Sequence, residues 1–505
     1  MPDRRSYGTF AILVLAGVTV AGAAAAHASL PVAGELRVGW ASADITPEQP
    51  VALAGQMWTR ISKGVRDPIT CTALAVETVK NGASIDQAVM VSCDLVCVTP
   101  QLVDELAAAV AGFGAACPGL DPAKIIVNAT HTHTAPFPSS EDYGSPAGSI
   151  PAFDYRRFAV GRMASAVKEA WTSRAAGSVS WALAHAAIAR NRRVSYFDTT
   201  TGLPAPGRTQ MYGATDVADF DAIEGPAETG MPLVFFWNPA GELTGVIVNL
   251  ACPAQETAEL EEVSADFWHE TRAELRRLLG PDVFVLPQCA AAAGSTSWNV
   301  WRKQAEEEMF RRRGLTARED IARRIAAAVA DVLPYAKVGA EDEPVLAHVA
   351  TTLDLPQRLV TPEERDRCRA EAAAVPANRP AKAGWHLRTV KRFAAQQAKL
   401  ARGEQPVVPV SVHAVRLGDV AVVTNSFELF EDYGIRIQAR SPALLTCVVQ
   451  LAGRGTMGTY LPTARAVEGG GYSATVQSNL VGPEGGRMLV DESVALLQSL
   501  WSSRD

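Results

Sequence analysis

The sequence predicts an α/β fold, with mixed β-sheets flanked by helices in one large unit. Three observations point there. The chain has 505 residues, 48% hydrophobic and 20% charged, the balance of a protein that buries a large core. Apolar β-branched runs such as Gln87–Val96 alternate with stretches of helical period such as Gln101–Phe113 and Asp154–Ala176. Length alone would suggest about three domains, but no Gly/Ser linker, long charge run or sequence repeat divides the chain.

Taken in order, Leu36–Trp40 and Thr72–Val79 read as strands, and Gln87–Val96 as a buried one. The helices Gln101–Phe113 and Asp154–Ala176 bracket a strand at Lys124–Thr134, which runs into a Pro- and Ser-rich loop at Ala135–Pro151. Thr199–Met231 lacks periodicity and is rich in Gly and Pro, so it reads as a long functional or poorly ordered loop. A strand pair is expected at Pro232–Trp237 and Thr244–Ala251. Asp266 then caps a helix through Leu279, and Val283–Leu286 is a short buried strand. Thr361–Gly403 is charged and helical, with a break near Pro376–Pro380; it fits either a solvated helical hairpin or a cover over a site. Val415–Thr424 and Leu445–Leu451 are the last strands, and a helix closes the chain.

At the N-terminus, Arg4 and Arg5 precede an apolar run from Phe10 to Ala26 and the triplet Ala26-His27-Ala28. That is the order of a cleavable signal peptide over residues 1–28, so export to the periplasm or beyond is expected. The other reading is a membrane anchor, but the run is Ala- and Gly-rich and shorter than the roughly 20 residues a span needs. Arg4-Arg5 also allows a twin-arginine route, which Ser6-Tyr7-Gly8 fits only loosely. The formal charge is −7, and loss of Asp3, Arg4 and Arg5 with the leader makes the remainder one unit more negative. With no basic stripe to offset that charge, nucleic acid is excluded as a partner. Eight cysteines in so long a chain are not the density of a disulfide scaffold, although pairs can form outside the cytoplasm. Cys93 and Cys97 have no second close pair, which argues against a four-cysteine zinc module.

The chemistry gathers around Thr130-His131-Thr132-His133-Thr134. Histidines two apart on a strand point to one face, and two converging imidazoles suit zinc; they equally suit hydrogen-bonded surface groups. A hydrolytic zinc needs about three protein ligands and an open position for water. The rest must come from afar: His185, His269, His348, His386 and His413 are each isolated, while Glu428 stands at the end of an apolar strand.

His131-Thr132-His133-Thr134-Ala135-Pro136 resembles the His-Thr-His-Ser-Gly-Pro motif of the neutral, non-lysosomal ceramidases. Other pieces follow in the family's order: Gly39–Thr46, ending Ala43-Asp44-Ile45-Thr46; Ser92-Cys93-Asp94-Leu95; Asn191-Arg192; Phe427-Glu428; and Tyr460-Leu461-Pro462-Thr463. The likeness covers about residues 36–500. It implies one catalytic domain of neutral ceramidase type over 29–505, with a helical insertion near 361–403. It also implies a zinc cofactor held by His131, Glu428 and Tyr460, with His133 as acid/base and Arg192 holding substrate or the oxyanion. The implied activity is cleavage of an amide in a small-molecule or lipid N-acyl substrate by zinc-activated water. Transient contact with a membrane surface would then accompany a lipid substrate.

Two places depart from the family. Where it has a second histidine ligand before a proline, this chain reads Cys252-Pro253-Ala254-Gln255, so Cys252 is a candidate fourth ligand or a small buried cysteine. Where it has Gly-Asp-x-Ser-Pro, this chain reads Gly294-Ser295-Thr296-Ser297-Trp298. Ser297 is therefore a candidate catalytic serine with no base evident in the sequence, or a turn residue. The family's C-terminal β-sandwich is expected to be missing, which widens the substrate class to soluble amides and esters. A non-catalytic binding protein that has lost its metal is the alternative of another kind.

Overall fold

The computed structural model describes residues 31–139, 146–376 and 379–501, and the expected signal peptide at 1–28 lies outside them. Among the described residues no helix is long and apolar enough to cross a membrane. Three sheets dominate, and each is built the same way. A β-hairpin is followed by a helix, which crosses over and returns the chain as a strand parallel to the hairpin's second strand.

In the first unit Thr70–Lys80 and Ala83–Cys93 pair antiparallel, helix Pro100–Ala111 crosses over, and Ile125–Ala129 returns parallel, Val89 opposite Ile125 and Cys93 opposite Ala129. The second has Gly230–Trp237 and Leu243–Leu250, helix Phe267–Leu279 and parallel Phe284–Cys289. The third has Val407–Leu417 and Val420–Thr424, helix Glu431–Arg440 and parallel Leu445–Val449. Further strands, Glu35–Asp44, Ser178–His185 and Leu346–Pro356, extend the three sheets antiparallel. The threefold pattern is topological and leaves no repeat in the sequence. Parallel pairs need a crossover helix, which explains the alternation of apolar runs and helical period along the chain.

One face of each sheet meets the other two in a shared core. Leu36, Leu74 and Val76 from the first pack with Phe236, Ile247 and Leu286 from the second and Val415, Val422 and Cys447 from the third. Trp40 stacks on Phe284 at 5.7 Å between ring centroids and meets Phe236 edge-on at 5.5 Å. Such pairs add about 0.5–1.5 kcal/mol each beyond area burial. Gly245 permits this, because a Cβ there would lie 2.5 Å from the Trp40 ring. The outer face of each sheet is covered by its own helices, as Ala159, Met163 and Val167 of helix Ala152–Thr172 cover the first.

A polar seam joins the C-terminal ends of the parallel strands. Ser92 Oγ donates to Pro287 O at 2.5 Å, Asn128 Nδ2 donates to the same oxygen at 3.2 Å, and Asn249 Nδ2 donates to Val448 O at 3.0 Å. The three carboxyl ends therefore converge, and the loops that leave them share one space.

Several elements correct the sequence reading. The strand expected over Lys124–Thr134 ends at Ala129, so both histidines of the motif lie in the loop beyond it. Val415–Thr424 is the turn of a hairpin around Gly418, whose φ of +59° a glycine adopts without strain. The stretch Thr199–Met231 carries short strands at Gln210–Met211 and Phe220–Ile223, both paired with Arg193–Tyr196. Residues 361–403, by contrast, follow the sequence reading, forming two helices, Pro362–Ala374 and Pro380–Ala401, with the expected break between them. Cys71, Cys93, Cys117, Cys252, Cys289, Cys368 and Cys447 are buried free thiols, so no disulfide joins them.

Asp94, fully buried, binds Arg272 through two hydrogen bonds of 2.9 Å and also accepts from Thr70 N and Thr130 Oγ1. It ties the second unit's crossover helix to the residue before His131. Removing one partner of a buried pair leaves an uncompensated charge. Arg272→Ala is expected to cost about 3–5 kcal/mol, read from urea unfolding. A change below about 1 kcal/mol would show that the pair does not hold these units together.

Candidate active site

The strand Ile125–Ala129 delivers Thr130 and His131 into the space between the three units. Thr130 N donates to Cys93 O at 2.9 Å and His131 N to Leu95 O at 2.9 Å, which bends the chain so that His131 sits at φ +67°. A left-handed non-glycine residue is strained by about 1–3 kcal/mol and is held there by its surroundings. The convergence of the histidines thus comes from a kinked loop, not from strand alternation. Their rings are 5.0 Å apart and nearly perpendicular, at 83°.

His131 is 3% exposed, and its Nδ1 lies 2.6 Å from Val96 O. A carbonyl only accepts, so Nδ1 carries a proton, and in the neutral imidazole Nε2 presents a bare lone pair. That Nε2 faces the Glu428 carboxylate at 3.2 Å and has no hydrogen bond. Two acceptors pointed at each other in a buried space call for a cation between them. Glu428 opens a two-residue parallel pairing with Tyr460, so the second and third donors arrive on adjacent backbones. The Tyr460 phenol is pushed well above its usual range by burial, and further by the neighbouring Glu428. His131, Glu428 and Tyr460 are a nitrogen and oxygen donor set that fits a divalent metal of zinc type and leaves a position open.

Arg192, 2% exposed, spans the far side. It donates to Tyr212 Oη at 2.6 Å, Gln255 Oε1 at 3.0 Å, Ala293 O at 3.1 Å and Tyr460 Oη at 3.4 Å, and its Nε has no partner. Because Gln255 Oε1 accepts from Arg192, its amide nitrogen faces His133 Nε2 at 2.8 Å. His133 then carries its own proton on Nδ1, a tautomer assigned by this network. Burial holds the imidazole well below its usual pKa, and His131, Arg192 and Arg60 lower it further, so His133 is neutral. Gly55, at φ +92°, lies against the ring, and a Cβ there would come within 2.2 Å of it.

The structure does not bring Cys252 into this group. Its strand ends at Leu250, one residue before the expected Ala251, and the side chain is buried in the apolar cluster of the second unit with Phe267 and Trp268. Its Sγ approaches Pro253 O at 3.7 Å, and burial raises the thiol well above its usual pKa, with Cys289 next in effect. A protonated thiol in an apolar pocket is a core residue in its chemistry. Gln255, three residues on, is the residue of that loop which reaches the site.

Ser297 lies one residue pair away. Its Oγ donates to Glu256 Oε2 at 2.5 Å, and burial pushes the Glu256 carboxyl up to about 7. The base that the sequence did not reveal is thus the neighbour of Gln255. Both line a cavity of about 260 Å³ with Trp298, Arg190 and Phe310. Glu431 buttresses the segment from below, accepting from Gly294 N and Ser295 Oγ. Gln255, Glu256, Tyr212, Gly55 and Glu431 carry no motif, and only the fold reveals their part.

No family model and no curated protein matches the chain. Solved structures do, over most of its length, among them two ceramidases. A ceramidase complexed with C2 is 14% identical, with 93% of this chain and 76% of that one covered at a TM-score of 0.62. A neutral ceramidase from Pseudomonas aeruginosa is 15% identical, with 94% and 75% covered at a TM-score of 0.62. The protein is therefore a mixed α/β chain with the neutral-ceramidase fold.

Glu431 has a pH signature. Burial raises its carboxyl to about 7, against hydrogen bonds that lower it. The folded chain keeps this proton up to near pH 7, whereas the unfolded chain releases it above about 4.5. The group therefore stabilises fully below the unfolded value and loses that stabilisation as pH rises through the folded one. Glu431→Gln should flatten the stability curve between those limits in urea melts, leaving the smaller slope from Glu256. An unchanged slope would contradict the assignment.

Proposed function

We propose that this chain is a zinc-dependent, ceramidase-like hydrolase that cleaves the amide bond of an N-acyl compound and acts after export. The observation that carries the reading is the bare His131 Nε2 set against the Glu428 carboxylate at 3.2 Å, with the Tyr460 phenol on the adjacent backbone. The shared fold with ceramidases supports the reaction class, and the leader sequence supports export. When bound, zinc would supply a Lewis acid that polarises a carbonyl and makes water acidic.

The chain's own residues do the rest. Gln255 donates to His133 Nε2 and so holds the ring as its Nδ1–H tautomer; once substrate displaces that amide, Nε2 is the atom that takes a proton and passes it to the departing amine. The Arg192 guanidinium, desolvated and already anchored by four acceptors, offers its charge to an oxygen that becomes negative beside Tyr460. Tyr212 and Trp298, both partly exposed with rings 5.6 Å apart, form an aromatic wall beside Arg192 that suits an apolar acyl group.

A second reading has its own observation. The Ser297–Glu256 hydrogen bond is a nucleophile and base at contact distance, which fits attack by Ser297 Oγ and an acyl-enzyme. Ser297→Ala should weaken turnover much less than Glu428→Gln under the first reading; a covalent acyl group trapped on Ser297 would establish the second.

Metal analysis of purified variants tests the donor set. His131→Ala should lose the bound zinc, His133→Ala should keep it while kcat falls about 100- to 10,000-fold, and Cys252→Ser should keep both zinc and turnover. Full zinc and full activity in both histidine variants would overturn the reading. A wild-type protein that binds N-acyl compounds but takes up no zinc and turns none over would be a binding protein of the same fold.

A further inference from the structure

The helical hairpin at 361–403 holds a cluster that the candidate active site does not use. Cys368 and Glu371 are three apart on helix Pro362–Ala374 and so share one face. His386, on helix Pro380–Ala401, meets them from across the hairpin. One donor atom from each lies within 4.8 Å of the others. Cys368 is fully buried and His386 is 5% exposed, while Glu371 opens to solvent.

A fourth group is aimed at the same point. Gln477 Nε2 lies 3.2 Å from Glu371 Oε2 and 3.4 Å from His386 Nδ1, and His386 Nδ1 lies 3.1 Å from that carboxylate. Gln477 Oε1 is buried with no partner. The amide nitrogen is the end that faces the cluster; with the amide turned over, its oxygen would face the cluster instead and meet a bound cation. A cavity of about 460 Å³, bounded by Glu371, His386, Gln477 and Trp385, gives access. Lys382 and Arg379 also stand on its wall.

We propose that Cys368, Glu371 and His386 form a zinc-type metal site, completed by Gln477 or water, that pins the helical hairpin to the segment beside Tyr460. Thiolate, imidazole and carboxylate together suit zinc, whose tetrahedral donors stand about 3.3–3.8 Å apart. His386 Nδ1 and Glu371 Oε2 already stand 3.1 Å apart, and the three donor atoms lie within 4.8 Å of one another. Binding displaces the Cys368 Sγ proton to solvent, and the metal–sulfur bond takes its place. The consequence reaches the candidate active site through aromatic contacts. Trp385, beside His386, packs on Tyr472 at 5.7 Å, and Tyr472 meets Tyr460 at 5.6 Å. The metal would thus set how firmly the hairpin backs Tyr460.

The proposal does not rest on the catalytic reading, because sulfur distinguishes the two sites. Cobalt(II) titrated into metal-free full-length protein should produce a thiolate-to-cobalt charge-transfer band, which in His131→Ala saturates at about one equivalent per chain. Cys368→Ser and His386→Ala should lose that band, Glu371→Gln should weaken the affinity at least about tenfold, and His131→Ala should keep the band. Circular dichroism confirms that each variant folds. Absence of the band in folded wild type, or its persistence in Cys368→Ser, would overturn the proposal.

Discussion

The three sheets bury one face each against a single shared core, and the arrangement of the site depends on that constraint. Leu74, Ile247 and Val422 belong to different units yet lie in the same cluster. Once these faces meet, the carboxyl ends of the three parallel pairs are brought together, whatever loops follow them. His131 leaves the first pair, Gln255 and Ser297 leave the second, and Glu428 and Tyr460 leave the third. A site assembled from residues up to 329 positions apart in the chain needs no long-range signal in the sequence; it needs three strands to end at one place.

Electrostatics then decides what can occupy that place. Val96 O fixes the His131 tautomer, and the bare Nε2 faces a carboxylate that is itself 8% exposed. The two groups satisfy each other only with a proton on Nε2 or a metal ion between them. Around them, burial with the charges of His131, Arg192 and Arg60 holds His133 neutral and Gln255 orients it, so the proposed acid/base imidazole and the proposed metal donor are separated by environment although they are two residues apart. Strain at His131 is stabilised by the same backbone bonds that close the first unit.

Much of this was legible from the sequence where local rules govern. Apolar runs located the strand pair Gly230–Trp237 and Leu243–Leu250, and Asp266 does cap the helix after it, accepting from Phe267 N at 2.7 Å. The motif His131–Pro136 located the site and the resemblance named its fold. Reading failed where tertiary contacts override the local pattern. The strand before His131 was overrun because the backbone bonds that bend it come from Cys93 and Leu95, beyond any local window. Cys252 looked like a ligand from its place before Pro253, but side-chain direction at a strand end is set by packing, here against Phe267 and Trp268. Glu256 was invisible as a base because only the fold lays it against Ser297, forty-one residues away.

The central claim is that the site is built for a metal held by one imidazole, one carboxylate and one phenol. Anomalous diffraction at the zinc edge, from crystals equilibrated with zinc, tests it most directly. The account predicts a peak bounded by His131 Nε2, Glu428 and Tyr460 Oη, about 2.0–2.2 Å from the nitrogen and carboxylate donors. Saturating zinc with no peak there, or a peak bonded to Cys252 Sγ, would contradict it.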